Sequence, residues 1–179
     1  MDEIDIGMVV NNAGISGTVS TYLNLPISDI GNVIETNFMS LYLINLVVVP
    51  KLTERKYRSA IINFSSCTGV FTSHLLGTYP ASKQIVDIYS RTMSIECRDR
   101  IDVLCSRPFG VITPMTRMHR GPWMISPEEC VLSTLADLGK ADTTFSGYKH
   151  KLMGSFMELA TEEKRFKGYD RVYSKMLKK

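Results

Sequence analysis

An excess of charge of either sign is missing from this sequence: 21 lysines and arginines stand against 18 aspartates and glutamates, leaving +3 over 179 residues. Apart from a cluster at the C-terminus the basic residues are spread out, so no nucleic-acid partner is expected. Cysteine is scarce and unpatterned. Cys67, Cys97, Cys105 and Cys130 form no C-x-x-C pair and stand at no ligand spacing from a histidine, which leaves no metal site and no disulfide framework and fits a reducing compartment. Long apolar runs are missing as well. The longest, around residues 41–49, is interrupted by Asn45 and closed by Pro50 and Lys51, well short of the roughly 20 residues that cross a bilayer. Neither a signal peptide nor a transmembrane helix is read from the pattern. A hydrophobic fraction of 44% suits one globular domain, and the length leaves no room for a second full one.

What is present alternates between buried strands and amphipathic helices. Residues 4–10 are apolar and β-branched and give way to Asn11, Asn12, Ala13 and Gly14, as a buried parallel strand does when it turns at the carboxyl edge of a sheet. Ligands of open α/β sheets bind at that edge, although a plain turn has the same composition. Residues 28–56 carry Ile30, Val33, Ile34, Phe38, Leu41, Tyr42 and Asn45 at three- and four-residue steps, predicting a helix capped by Ser28 and kinked or ended at Pro50. Asn37 stands among its apolar positions, where an amide is costly unless bonded, so it serves either a site or the backbone around it. Residues 60–64 predict a second strand that delivers Ser65 and Ser66, 69–78 a loop, 80–98 a helix and 101–105 a third strand. Residues 115–124 predict a polar, basic loop over the pocket. Residues 126–139 predict a helix with Ser126 as cap, Pro127 in first position and Glu129 at the third, a capping-box pattern.

The stretch SSCTGVFTSHLLGTYPASK, residues 65–83, organises the rest. On a helix starting near Pro80, Tyr79 and Lys83 share a face. A phenol titrates near ~10, and a close ammonium favours phenolate and draws that value down towards neutral pH. Ser66, thirteen residues upstream at a strand end, is placed to hydrogen-bond a substrate carbonyl while Tyr79 supplies its proton. A Tyr and a Lys four apart also arise by chance in helices of this length.

With its serine, its thirteen-residue interval and its Y-x-A-S-K, this stretch resembles the short-chain dehydrogenase/reductase family of nicotinamide-dependent oxidoreductases. That resemblance implies an α/β fold, the C-terminal part of a Rossmann-type doubly wound parallel sheet from the fourth strand onward. It implies a catalytic set of Asn37, Ser66, Tyr79 and Lys83, with Asn37 in ETNFMSLY holding a relay water and Lys83 holding the nicotinamide ribose. The NNAG element resembles the family's adenosine-side turn, which assigns Asn11, Ala13 and Gly14 to the cofactor. RPFGVIT resembles the loop that holds the nicotinamide carboxamide, which adds Pro108, Val111 and Thr113 to Tyr79 and Lys83 in cofactor binding. Phe109 departs from the usual glycine there. That aromatic, SPEEC and SGYKHKLMGS are similar to the very-long-chain 3-oxoacyl-CoA reductases and related 17-beta-hydroxysteroid dehydrogenases. The implied reaction is NADPH-dependent reduction of a 3-oxoacyl-CoA or a steroid ketone, with NAD the alternative cofactor. The implied location is the cytoplasmic face of the endoplasmic reticulum membrane, with the mitochondrion the alternative. The implied association is a homodimer through the helices at 28–56 and 80–98.

One family element is not found: nothing reads as T-G-x-x-x-G-x-G, the glycine-rich turn that receives a cofactor pyrophosphate. The match starts at what would be the fourth strand, so the cofactor half is expected to lie outside this stretch, as part of a longer chain, on a partner chain, or lost. A rival expectation is therefore a catalytically silent packing subunit of a larger assembly. Residues 1–160 are read as the partial Rossmann-type domain and 161–179 as a basic amphipathic helix. Its seven cations and interleaved aromatics fit membrane-surface contact through 162–179, or a solvated cap on the domain.

Overall fold

Four parallel strands in sequence order carry the fold: β1 (Met8–Asn11), β2 (Ser59–Phe64), β3 (Ile101–Ser106) and β4 (Thr143–Thr144). They come from a computed structural model that describes residues 4–71, 73, 75–165 and 167. The register aligns Asn11 with Asn63 and Asn63 with Cys105, so the carboxyl ends of β1, β2 and β3 form one edge. Parallel strands need crossovers, and helices supply them. The helices are α1 (Ile27–Ile34), α2 (Ser40–Glu54), α3 (Thr78–Glu96), α4 (Pro127–Asp137) and α5 (Tyr148–Leu159). Covered strands read as unbroken apolar runs, and Ile61, Ile62, Val103 and Leu104 are buried accordingly. Ile61, Ile101 and Val103 pack with Leu52 of α2 and Met93 of α3 in the main apolar cluster. This is the Rossmann-type α/β architecture.

Several boundaries differ from those predicted. The first long helix starts at Ile27 after Pro26, whose extended backbone turns the chain into it, so Ser28 lies within the first turn and is not its cap. The helix also runs through Pro50 to Glu54, where Thr53 donates its hydroxyl to the Pro50 carbonyl at 2.7 Å. Between α1 and α2 the axis passes a π turn, Glu35–Met39, with Asn37 buried at its centre. Taken together, Ile27–Glu54 is long and apolar enough, by length and composition alone, to cross a membrane, contrary to the reading that stopped the run at Pro50. Its buried amides point elsewhere, because Asn37 and Asn45 are bonded to neighbouring elements of the α/β layer.

α3 starts two residues earlier than the predicted start at Pro80, which places Tyr79 in its first turn. Ser126 caps α4 as predicted, accepting from the Glu129 amide at 3.1 Å. β4 and α5 were not predicted. Residues 162–165 are helical, and the rest of the predicted basic tail, apart from Lys167, lies outside the described residues.

Candidate active site

The turn after β2 sets the site. Ser65 gives its amide to the Ser106 carbonyl at 2.8 Å and its hydroxyl to the Lys83 carbonyl at 2.7 Å, fixing the strand end against both β3 and α3. Ser66 follows in extended conformation and caps a 3-10 turn, Cys67–Gly69. Gly69 lets that turn lie on α3: a Cβ there would stand 2.6 Å from the Lys83 carbonyl carbon, closer than atoms approach. The same contact holds Ser66 over the first turns of α3, which present Tyr79 and Lys83.

Both groups are perturbed by burial. The Tyr79 phenol is pushed up to about 12, chiefly by loss of solvent, with a hydrogen bond from Ser66 pulling the other way. The Lys83 amine is pulled down to about 8 by the same desolvation. Its ammonium donates to the Phe64 carbonyl at 2.8 Å and lies 5.8 Å from the Tyr79 ring centroid. The expected lowering of the phenol by Lys83 is not what sets it here: loss of solvent dominates and Ser66 supplies the opposing pull. Tyr79 is protonated at neutral pH, which makes it a proton donor rather than a base.

Asn37 reaches this cluster from the π turn. Its carbonyl oxygen accepts from the Ile15 amide at 2.8 Å, and its amide donates to the Ile15 carbonyl and the Ser82 hydroxyl, both at 2.9 Å. Its side chain therefore pins the loop after β1 to α3. Gly14 lies between the two, since a Cβ there would stand 3.3 Å from both Asn37 Oδ1 and Lys83 Nζ. Ala13 is exposed beside it, at the mouth of a cavity of about 80 Å³ between the end of β1 and α2. Asn11 lies deeper. Its amide bridges Asn45 and Asn63, at 2.9 and 2.8 Å, and Asn63 passes the chain to Ser90, so these bonds join β1, β2, α2 and α3.

The loop after β3 is held by its backbone. The Pro108 carbonyl accepts from Cys67 at 3.0 Å, and Val111 bridges to Ile125. Thr113 caps the short 3-10 turn Pro114–Thr116, and its hydroxyl meets the Val111 carbonyl at 3.5 Å. The structure thus groups Ser66, Tyr79, Lys83, Asn37 and Gly14, sets Pro108 beside the Ser66 turn, and gives Asn11, Val111 and Thr113 bonds to the framework. Phe109 owes its place to packing: its ring lies on Phe71, Phe145 and His150 with centroids 5.5–6.2 Å apart.

Two contributors were not singled out from the sequence. Thr68 donates its hydroxyl to Ser66 at 3.0 Å and its amide at 3.2 Å. His150, fully buried on α5, accepts the Phe109 amide at Nδ1 (3.2 Å) and pairs Nε2 with the Trp123 carbonyl (3.1 Å), which selects the neutral Nε2–H tautomer; burial lowers its pKa, keeping it neutral. The G-Y-x-x-H spacing carried the second signal. A second cavity, about 260 Å³ and lined by Arg58, Arg98, Asp102 and Lys140, lies at the opposite, amino edge of β3. Among the described residues no group of histidines, cysteines or carboxylates is arranged to hold a metal.

Known proteins share both pattern and fold. The short chain dehydrogenase family matches residues 2–122. Very-long-chain 3-oxoacyl-CoA reductase-B of Danio rerio is 32% identical over 157 residues, covering 84% of this chain and 50% of that protein. The very-long-chain 3-oxoacyl-CoA reductase of Homo sapiens is 33% identical over 161 residues, covering 86% and 51%. The chain thus spans about half the length of the curated relatives it matches. Among solved structures, a 7beta-hydroxysteroid dehydrogenase superposes with a TM-score of 0.79 at 22% identity, over 94% of this chain and 68% of that one. A short chain dehydrogenase from Escherichia coli complexed with NADPH gives 0.68 at 22% identity, over 78% and 61%.

Proposed function

The chain belongs to the short chain dehydrogenase family, and from that premise we propose that it carries the catalytic half of a reductase acting on the ketone of a 3-oxoacyl-CoA, with a steroid ketone as the related substrate. The observation that carries the reading is the meeting of Ser66, Tyr79 and Lys83 at the carboxyl edge of the sheet, with the phenol protonated at neutral pH. In this reading the ketone oxygen lies between the Ser66 and Tyr79 hydroxyls. Ser66 donates a hydrogen bond to it and Tyr79 gives up the proton as the oxygen becomes an alcohol. Lys83 compensates the charge left on the phenolate, and Asn37 keeps the loop after β1 closed on α3.

The donor set fits a nicotinamide nucleotide. Lys83 uses one of its three N–H groups on Phe64, which leaves donors for a ribose diol, and Ala13 and Gly14 keep side chains off the neighbouring surface. Tyr79, Lys83, Asn11, Ala13, Gly14, Pro108, Val111 and Thr113 would hold it, with Asn11 acting through the sheet it braces. When bound, the cofactor supplies the hydride; NADPH is the form proposed, with NAD the alternative. No glycine-rich turn of the kind that receives a pyrophosphate is read in these 179 residues. The proposed setting is the endoplasmic reticulum membrane, and the proposed association is a homodimer through α2 and α3. The test is Tyr79→Phe assayed with NADPH and a long-chain 3-oxoacyl-CoA. Turnover is expected to fall by about 100-fold or more. Near-normal turnover overturns the mechanism.

A further inference from the structure

The hydroxyl of Ser66 has one proton and two lone pairs, and in this site the lone pairs are already used. Thr68, two residues on in the same turn, donates to the Ser66 oxygen twice, from its amide at 3.2 Å and from its hydroxyl at 3.0 Å. Both residues are buried, at 7% and 5% exposure, so water does not compete freely for these positions. A hydroxyl oxygen that accepts two bonds acts towards a third partner only as a donor. The sulfur of Cys67, at 4.0 Å, is a distant and weak acceptor for that proton. The further partner for that proton is the Tyr79 phenol, whose pKa the Ser66 side chain pulls down, as a donor to it does.

We propose that Thr68 is a positioning residue that fixes the polarity of the catalytic pair, holding Ser66 as a donor and so reserving the Tyr79 proton for the substrate oxygen. Without the Thr68 hydroxyl, one lone pair of Ser66 opens and Tyr79 can donate to it. The Tyr79 proton is then bound to Ser66, and the substrate oxygen must displace that bond before the phenol can serve it. The backbone half of the cap survives such a change, because the Thr68 amide remains. Valine has the shape of threonine without its hydroxyl and therefore isolates the effect. The proposal rests on the reductase reading for its consequence to turnover, but the direction of the hydrogen bond is a property of the site itself.

The test uses the intact protein with Thr68→Val, Thr68→Ala and Thr68→Ser, beside Ser66→Ala and Tyr79→Phe as references. Thr68→Val and Thr68→Ala are expected to lower kcat by about tenfold with little change in KM, the loss of roughly one hydrogen bond's worth of positioning, and Thr68→Ser is expected to restore it. A purely structural cap predicts a lower melting temperature and no split between kcat and KM. A readout independent of turnover is the alkaline titration of Tyr79, taken as the ultraviolet phenolate signal lost in Tyr79→Phe. It moves to higher pH in Thr68→Val and Thr68→Ala, because a phenol that donates to Ser66 is stabilised in its neutral form, and returns in Thr68→Ser. Failure of the two readings is distinguishable. If Tyr79→Phe and Ser66→Ala inactivate but Thr68→Val and Thr68→Ala leave both kcat and the Tyr79 titration as in the wild type, the role of Thr68 is refuted alone. If Tyr79→Phe and Ser66→Ala leave turnover intact, the reductase mechanism fails, and the titration still upholds or overturns the hydrogen-bond direction.

Discussion

At Lys83 the cost of burying a charge is visible in a single residue. The residue is 4% exposed, and its amine donates to one carbonyl and is pulled by burial from an ordinary 10.5 down to about 8. A depressed lysine binds its proton less tightly in the folded state than in the unfolded one. It therefore adds a stability increment that is present above about 10.5 and lost as the pH falls through 8. Lys83→Met should raise stability at pH 7 by on the order of 1–3 kcal/mol while removing turnover, and should flatten the rise between pH 8 and 10.5. Urea midpoints across that window check it; a less stable variant with an unchanged slope would show that the bond to Phe64 outweighs desolvation. Tyr79 has the opposite sign: a phenol raised to about 12 contributes stability that is lost as the pH climbs from 10 through 12. The spacing of Ser66, Tyr79 and Lys83 was legible in the sequence because helix periodicity puts residues four apart on one face. The direction of the phenol's shift was not, because it depends on how far the folded chain shields the phenol from water, which local spacing does not show. The bonds of Asn37 to Ile15 and Ser82, at sequence separations of 22 and 45, were hidden for the same reason.

Between elements, two contacts decide whether these side chains stay together. The first is the Gly69 turn on α3. Gly69→Ala forces a methyl against the Lys83 backbone, which cannot swing aside as a side chain would, so a loss of about 1–3 kcal/mol is expected. Chemical denaturation measures it, and a change within ±0.5 kcal/mol would mean that the turn shifts freely. The second is His150, which ties the 108–113 loop and the Trp123 carbonyl to α5. His150→Leu leaves the Phe109 amide and the Trp123 carbonyl without their partner inside the protein, at about 1–3 kcal/mol for each group. Faster hydrogen exchange at Phe109 and faster proteolysis between residues 108 and 125 are expected, with β2 unaffected; exchange unchanged at Phe109 would refute the tie. Strands and helices with strong periodicity were legible to within a few residues. β4 was not, because two residues show no alternation to read. α5 was passed over because its buried surface is unusual: Gly154 lies under the Phe145 ring and His150 is bonded to two loops, features that only the folded partners explain. The π turn at Asn37 likewise has no local sequence signal.

For the molecule as a whole, the distribution of exposed apolar side chains carries the remaining expectation. On α2, Leu43, Leu46 and Val47 are more than half exposed, and on α3 so are Ile88 and Ile95, although the opposite faces of both helices are buried on the sheet. Scattered surface leucines need no explanation, but two crossover helices that both carry such residues along their outer faces offer a surface that a partner can cover. Asn45 turns inward from α2 and Asn37 from the π turn before it, and both are satisfied there, so this face sends amides towards the sheet while Leu43, Leu46 and Val47 of α2 point away from it. That arrangement is reasonable when both faces are covered. A two-fold axis beside α2 and α3 would let each copy cover the other with the same residues, and a self-complementary patch of this kind is the commonest route to a homodimer. Leu46→Asp combined with Ile88→Asp places a charge in the middle of each helix's outer face and should leave the monomer's own core untouched. Sedimentation at micromolar concentration is expected to show the unsubstituted protein as a dimer or larger and the double variant as a monomer with its circular dichroism retained. A monomer before substitution would refute the pairing. Persistence of the dimer after substitution would move the interface elsewhere on the molecule.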